Sequence, residues 1–93
     1  MPKQLKAVVV TTKHGGVFFG YTDDVRAEII HLRRARNCLV WPPECKGFLG
    51  LAAYGPLQGA RVGPAADLEL RDITSVAYAT DEAVKQWESA PWS

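Results

Sequence analysis

Val8-Val9-Val10-Thr11-Thr12 is an unbroken β-branched run, and the paired glycines Gly15-Gly16 follow it closely. Side chains branched at Cβ suit a pleated strand and lose freedom in a helix. Paired glycines supply positive φ without steric cost. Residues 5–12 are therefore expected as a strand and Lys13-His14-Gly15-Gly16 as a turn. Val17-Phe18-Phe19-Gly20-Tyr21 reads as the returning strand, which makes residues 5–23 a hairpin. Gly20 inside it predicts a bulge or a sharp bend. A chain that opens this way is committed to β pairing.

The pattern recurs along the chain. Thr22-Asp23-Asp24 reads as a turn. Residues 28–34 read as a third strand, with Ile30 and Leu32 on one face and Ile29, His31 and Arg33 on the other. Leu39-Val40-Trp41 reads as a short strand stopped by Pro42-Pro43. Asp67-Leu68-Glu69-Leu70-Arg71 alternates leucines with charges, the signature of a half-buried antiparallel strand. Residues 72–79 continue as a further strand after a tight bend. The period then changes. Thr80 or Asp81 can cap a helix, Asp81-Glu82 places negative charge in its first turn, and Ala83, Val84 and Trp87 share one helical face. This gives one C-terminal helix over about residues 81–90, ended by Pro91. Short strands punctuated by glycine predict a mainly β domain over residues 1–93, a small antiparallel barrel, SH3-like or Sm-like, of five or six strands.

Residues 44–64 carry five glycines and two prolines around the apolar segment 48–54. A true linker lacks aromatics and aliphatics, so this stretch is expected as an ordered loop or hairpin.

Composition excludes several classes. With 93 residues, one domain is the expectation, and 47% hydrophobic content with a net charge of +1 excludes a disordered chain. No apolar run approaches the ~20 residues of a membrane span. Met1-Pro2-Lys3-Gln4 leads straight into a strand-like run, so we expect no secretory leader and a cytoplasmic protein. The near-zero charge disfavours electrostatic binding of nucleic acid. Two cysteines, Cys38 and Cys45, with His14 and His31, lack the paired spacing of a zinc site. No metal or cofactor is expected. His31 has no nucleophile placed beside it, the carboxylate pairs are explained by a turn and a helix start, and no phosphate loop is present. An enzyme is therefore not expected.

The candidate site is where arginines, glycines and aromatics meet. Arg33-Arg34-Ala35-Arg36-Asn37 is the one basic cluster, and strand alternation puts Arg34 and Arg36 on one face. Arginine forks suit carboxylates and phosphates. Arg61 stands in a glycine-rich loop, and glycine lets a ligand approach the backbone closely. Phe48 and Tyr54 flank the other glycine-rich loop, and Trp41 is a candidate for core or partner surface. Trp92, near the C-terminus, is a candidate for docking on a neighbouring subunit. The expected binding set is Arg34, Arg36, Asn37, Trp41, Phe48, Tyr54 and Arg61. Three tryptophans and open strand edges also predict a homo-oligomer.

The runs Ala7-Val-Val-Val-Thr-Thr12, Gly16-Val-Phe-Phe-Gly20, Ala35-Arg-Asn-Cys38, Lys46-Gly-Phe-Leu-Gly-Leu-Ala52 and Gly59-Ala-Arg-Val-Gly-Pro64 resemble a family of small proteins of unknown function. That family is found widely in bacteriophage and prophage genomes, and the likeness spans about residues 5–92. The resemblance implies a setting and no activity: a phage or prophage accessory protein that acts on host machinery or host defence. The first expectation for function is thus a non-catalytic binder that inhibits a host protein by direct contact. The second is an oligomeric sponge that sequesters a small signalling nucleotide. The third is a nucleic-acid-binding barrel.

Overall fold

The computed structural model describes residues 5–13, 16–40, 47–56 and 60–90. Six antiparallel strands form one sheet: β1 (Lys6–Thr12), β2 (Val17–Thr22), β3 (Ile30–Val40), β4 (Arg61–Val62), β5 (Ala66–Leu70) and β6 (Ile73–Tyr78). Two helices, α1 (Gly47–Ala53) and α2 (Asp81–Ser89), complete the chain. The order is β4-β3-β2-β1-β6, and β5 also pairs with β3. The mainly β class read from the sequence therefore holds.

β1 and β2 form the expected hairpin, with Val9 opposite Phe19. β3 is longer than expected. It absorbs Leu39 and Val40 of the segment read as a separate Leu39-Val40-Trp41 strand, Trp41 lying outside the described residues, and pairs with three partners, β2 on one edge and β5 then β4 on the other. β5 ends at Leu70 and β6 starts at Ile73, so the two outer strands of the sheet meet at a two-residue corner. Asp72 turns that corner at φ 58°, and its carbonyl accepts a hydrogen bond from the Lys13 N–H at 2.8 Å. The corner replaces a ladder between β5 and β6. Among the described residues no ladder joins the outer strands, so the sheet does not close into the expected barrel.

Two cores result. Val8 and Val10 face one with Ile30, Leu32, Ala35 and Leu70. Val9 faces the other with Val17, Phe19, Cys38, Val62 and the helices. All three valines are fully buried, which explains why β1 reads as a continuous apolar run and not as an alternation.

The sequence reading of one helix is also corrected. Residues 48–54, expected as loop or hairpin, belong mostly to α1, which buries Gly50, Leu51 and Ala52. Glycine content hid the helical spacing of Phe48, Leu51 and Ala52. A helix this short is marginal alone, and tertiary contacts hold it. Gly55 ends it at φ +80°, donating its N–H to the Leu51 carbonyl at 3.1 Å. The Ala52 and Ala53 carbonyls accept from the N–H and hydroxyl of Thr80 at 3.0 and 2.6 Å. The same Thr80 hydroxyl caps α2 by accepting from the Ala83 N–H. α2 buries Ala83 and Trp87, the face its spacing predicted. No helix among the described residues is long and apolar enough to cross a membrane.

Candidate functional site

β3 carries an irregularity that decides the site. Ile30 and Leu32 enter the second core in alternation, but the register with β5 shifts between Leu32 and Ala35. Arg34 takes up the extra residue at φ 51°, in the left-handed region that non-glycine residues avoid. Asp67 holds the bulge, since its Oδ1 accepts from the Arg34 N–H at 2.9 Å. On the opposite edge the register with β2 shifts at Gly20. A Cβ there would stand 3.0 Å from the Leu32 Cβ and 3.3 Å from the Ala35 Cα. Gly20, expected as a bulge or sharp bend, pairs regularly with β1; the extra residue is on β3 opposite it, and the missing side chain of Gly20 admits the bulged strand.

Past the bulge Ala35 fills the second core and Arg36 is buried. Arg34 and Arg36 both line a concavity of about 380 Å3 with Phe19, Tyr21, Ala65, Glu88 and Ala90. The Arg34 guanidinium lies 4.5 Å from the centre of the Tyr21 ring, a cation–π contact. The Tyr21 hydroxyl donates to Glu88 Oε1. Burial, and then the hydrogen bond to Glu88, push the Tyr21 phenol up to about 12. Tyr21 also meets Phe19 edge-on at 5.3 Å, and Phe19 stacks on Trp87 at 5.2 Å and 7°.

Arg36 is 6% exposed. Its Nε donates to the Gly63 carbonyl at 2.8 Å and its Nη1 to the Trp87 carbonyl at 2.6 Å. Burial lowers its pKa, because the charged form is the one desolvated. The Trp87 carbonyl lies in the last turn of α2, which has no basic residue of its own. Arg36 supplies from β3 the cation that a helix C-terminus favours. The Trp87 indole N–H in turn donates to the Leu51 carbonyl at 3.0 Å, tying α2 to α1.

The other expected residues lie elsewhere. Asn37 is half-buried; its carbonyl accepts from the Gly63 N–H at 2.9 Å, while its buried Oδ1 has no partner among the described residues. Arg61 is exposed on β4, in register with Val40. Phe48 packs from α1 against the first core, and Tyr54 is exposed just past that helix. None of these four lines the concavity. Trp41, Trp92, His14 and Cys45 lie outside the described residues, and Cys38 is buried. His31 is exposed, its Nε2 3.7 Å from Glu69 Oε2, in a separate polar cleft. No group of three histidines, cysteines or carboxylates among the described residues could hold a metal. Tyr21, Glu88 and Asp67 complete the site, and no sequence signal linked them: Tyr21 and Glu88 are 67 positions apart.

A family model described as a domain of unknown function (DUF6948) matches residues 5–87. Comparisons with curated proteins and with solved structures give no match.

Proposed function

The chain belongs to the DUF6948 family, and from the geometry of its own residues we propose that it is a non-catalytic binding protein. In this reading it is encoded by a phage or prophage and inhibits a host protein, a defence protein in particular, by holding it at the concavity between β3 and the end of α2. The observation that carries the reading is Arg34. A left-handed non-glycine residue costs about 1–2 kcal/mol. Arg34 is exposed and joins neither core. The bulge puts Ala35 into the second core and turns Arg36 to the end of α2, and it also sets the Arg34 guanidinium over Tyr21 at the concavity. The neighbouring groups also favour binding over chemistry. Tyr21 stays protonated at neutral pH and supplies no base, and two guanidiniums recognise charge without transferring protons. The phage setting rests on the sequence resemblance.

A nucleotide sponge is the second reading, favoured by the concavity's volume, which falls within the range of small-ligand sites. The test is affinity capture from a host lysate beside a thermal-shift screen of nucleotides. The first reading expects a captured protein that Arg34→Ala loses and Glu82→Ala, on the exposed start of α2, keeps. Stabilisation by a nucleotide with no Arg34-dependent capture would transfer the function to the sponge. Turnover of any ligand would overturn the non-catalytic claim.

A further inference from the structure

We infer that this concavity accepts one singly charged oxyanion, a carboxylate, borne on a group that also offers a hydrogen-bond donor. The inference rests on the binding reading and names the chemistry that the site selects. Its first ground is charge. Two guanidiniums, Arg34 and Arg36, and one carboxylate, Glu88, line the concavity itself, while the Asp67 carboxylate behind Arg34 is engaged by the Arg34 backbone N–H. Both of the Arg36 hydrogen bonds described go to neutral carbonyls. A guanidinium this deeply buried, with no carboxylate partner among the described residues, gains from an arriving anion.

Glu88 sets the limit on that anion. Its Oε1 accepts from Tyr21, and a carboxylate has a second acceptor oxygen. A ligand N–H or O–H is welcome there, whereas a second negative charge is repelled. The planar fork of Arg34, held by its stacking on Tyr21, matches the two oxygens of a carboxylate. The aromatic groups offer a nucleobase little. Phe19 is 1% exposed, and the Tyr21 ring already carries Arg34. Base stacking needs an open ring face. A free small acid and an acidic side chain of a protein partner share the chemistry that fits.

The experiment follows the Arg34 and Arg36 side-chain Nε–H resonances of the full chain by NMR. The probes are N-acetylglycine (a monoanion with an amide donor), acetate (a monoanion without one), sulfate and adenosine monophosphate. The expected result is a saturable shift of the Arg34 resonance with N-acetylglycine, about fivefold weaker with acetate for the missing hydrogen bond, and weaker again with sulfate. Glu88→Gln should raise sulfate affinity about tenfold by removing a nearby like charge. Arg34→Lys, which keeps the charge and loses the fork, should weaken N-acetylglycine while leaving the Arg36 resonance unshifted. The inference is overturned if N-acetylglycine gives no saturable shift, or if sulfate or the nucleotide binds more tightly than it does. Competition locates the source. A captured host protein released by N-acetylglycine places the carboxylate on a protein. Probe binding without any captured protein supports a free acid and removes the protein-holding reading alone. Arg34-dependent capture that N-acetylglycine neither binds beside nor displaces removes the inference and leaves the binding reading standing.

Discussion

Arg34→Gly is the substitution that separates a strained functional residue from an ordinary structural one. Arg34 contributes two terms to folding that a variant can change. Its side chain stacks on Tyr21 at 4.5 Å, an exposed cation–π contact worth about 0.5–1 kcal/mol. Its backbone sits at φ 51°, where glycine is favoured over an L-residue by about 1 kcal/mol after the extra freedom of glycine in the unfolded chain is counted. The bond from its N–H to Asp67 is made by the backbone and survives either change. Arg34→Ala loses the stacking and gains nothing, so it should destabilise by about 0.5–1 kcal/mol. Arg34→Gly loses the same stacking and recovers the backbone term, so it should lie within about 0.5 kcal/mol of the parent. The glycine variant should therefore be more stable than the alanine variant by about 1 kcal/mol, or about 5 °C in melting temperature for a chain of this length. Urea unfolding followed by tryptophan fluorescence measures both, and the carboxylate-probe titration should show both as non-binding. A glycine variant less stable than the alanine variant would show that the bulge is not strained. The argument for a residue kept in place for binding would then fail.

Arg36→Ala should behave oppositely, costing about 2–4 kcal/mol in the same urea assay because the Gly63 and Trp87 carbonyls lose a charged donor; Arg36→Lys should recover part of it. Gly47 and Gly55 share a positive φ, but a Cβ at Gly47 meets nothing within 4 Å whereas one at Gly55 stands 2.6 Å from the Gln86 Cβ. Gly47→Ala should cost about 1 kcal/mol, and Gly55→Ala should add about 1–3 kcal/mol of overpacking, read as a larger drop in melting temperature. The Tyr21 phenol is raised in the folded chain from 10.0 to about 12. Between those values the unfolded chain has released the proton and the folded chain has kept it, so this stabilisation is present below pH 10 and is lost as pH rises through 12. Tyr21→Phe should flatten that alkaline fall in urea unfolding free energy, and an unchanged slope would remove Tyr21 as its source.

Strand content was legible because its signals are local. The β-branched run at β1, the alternation at β5 and the change of period at Thr80 each sit within a few residues, and each became the element expected. Gly20 was legible as a special position in its strand, though its reason, the approach of Leu32 and Ala35 on the bulged β3, was not. α1 escaped because its glycines argue against a helix. The bonds that hold it come from Thr80 and Trp87, more than 25 positions away.

The sequence by itself determined that β1 to β3 would pair in order and that a capped helix would follow the last strand. These follow from backbone sterics and side-chain periodicity, which act over a few residues. Only the tertiary structure decided that the sheet does not close at the Asp72 corner, that Arg34 is an extra residue in a bulge that breaks the alternation, and that Arg36 reaches the Trp87 carbonyl at the end of α2. The companions of Arg34 were decided there too. Tyr21, Asp67 and Glu88 come from three separate elements or their flanks, and such groups interact through distance in space, which no spacing along the chain encodes.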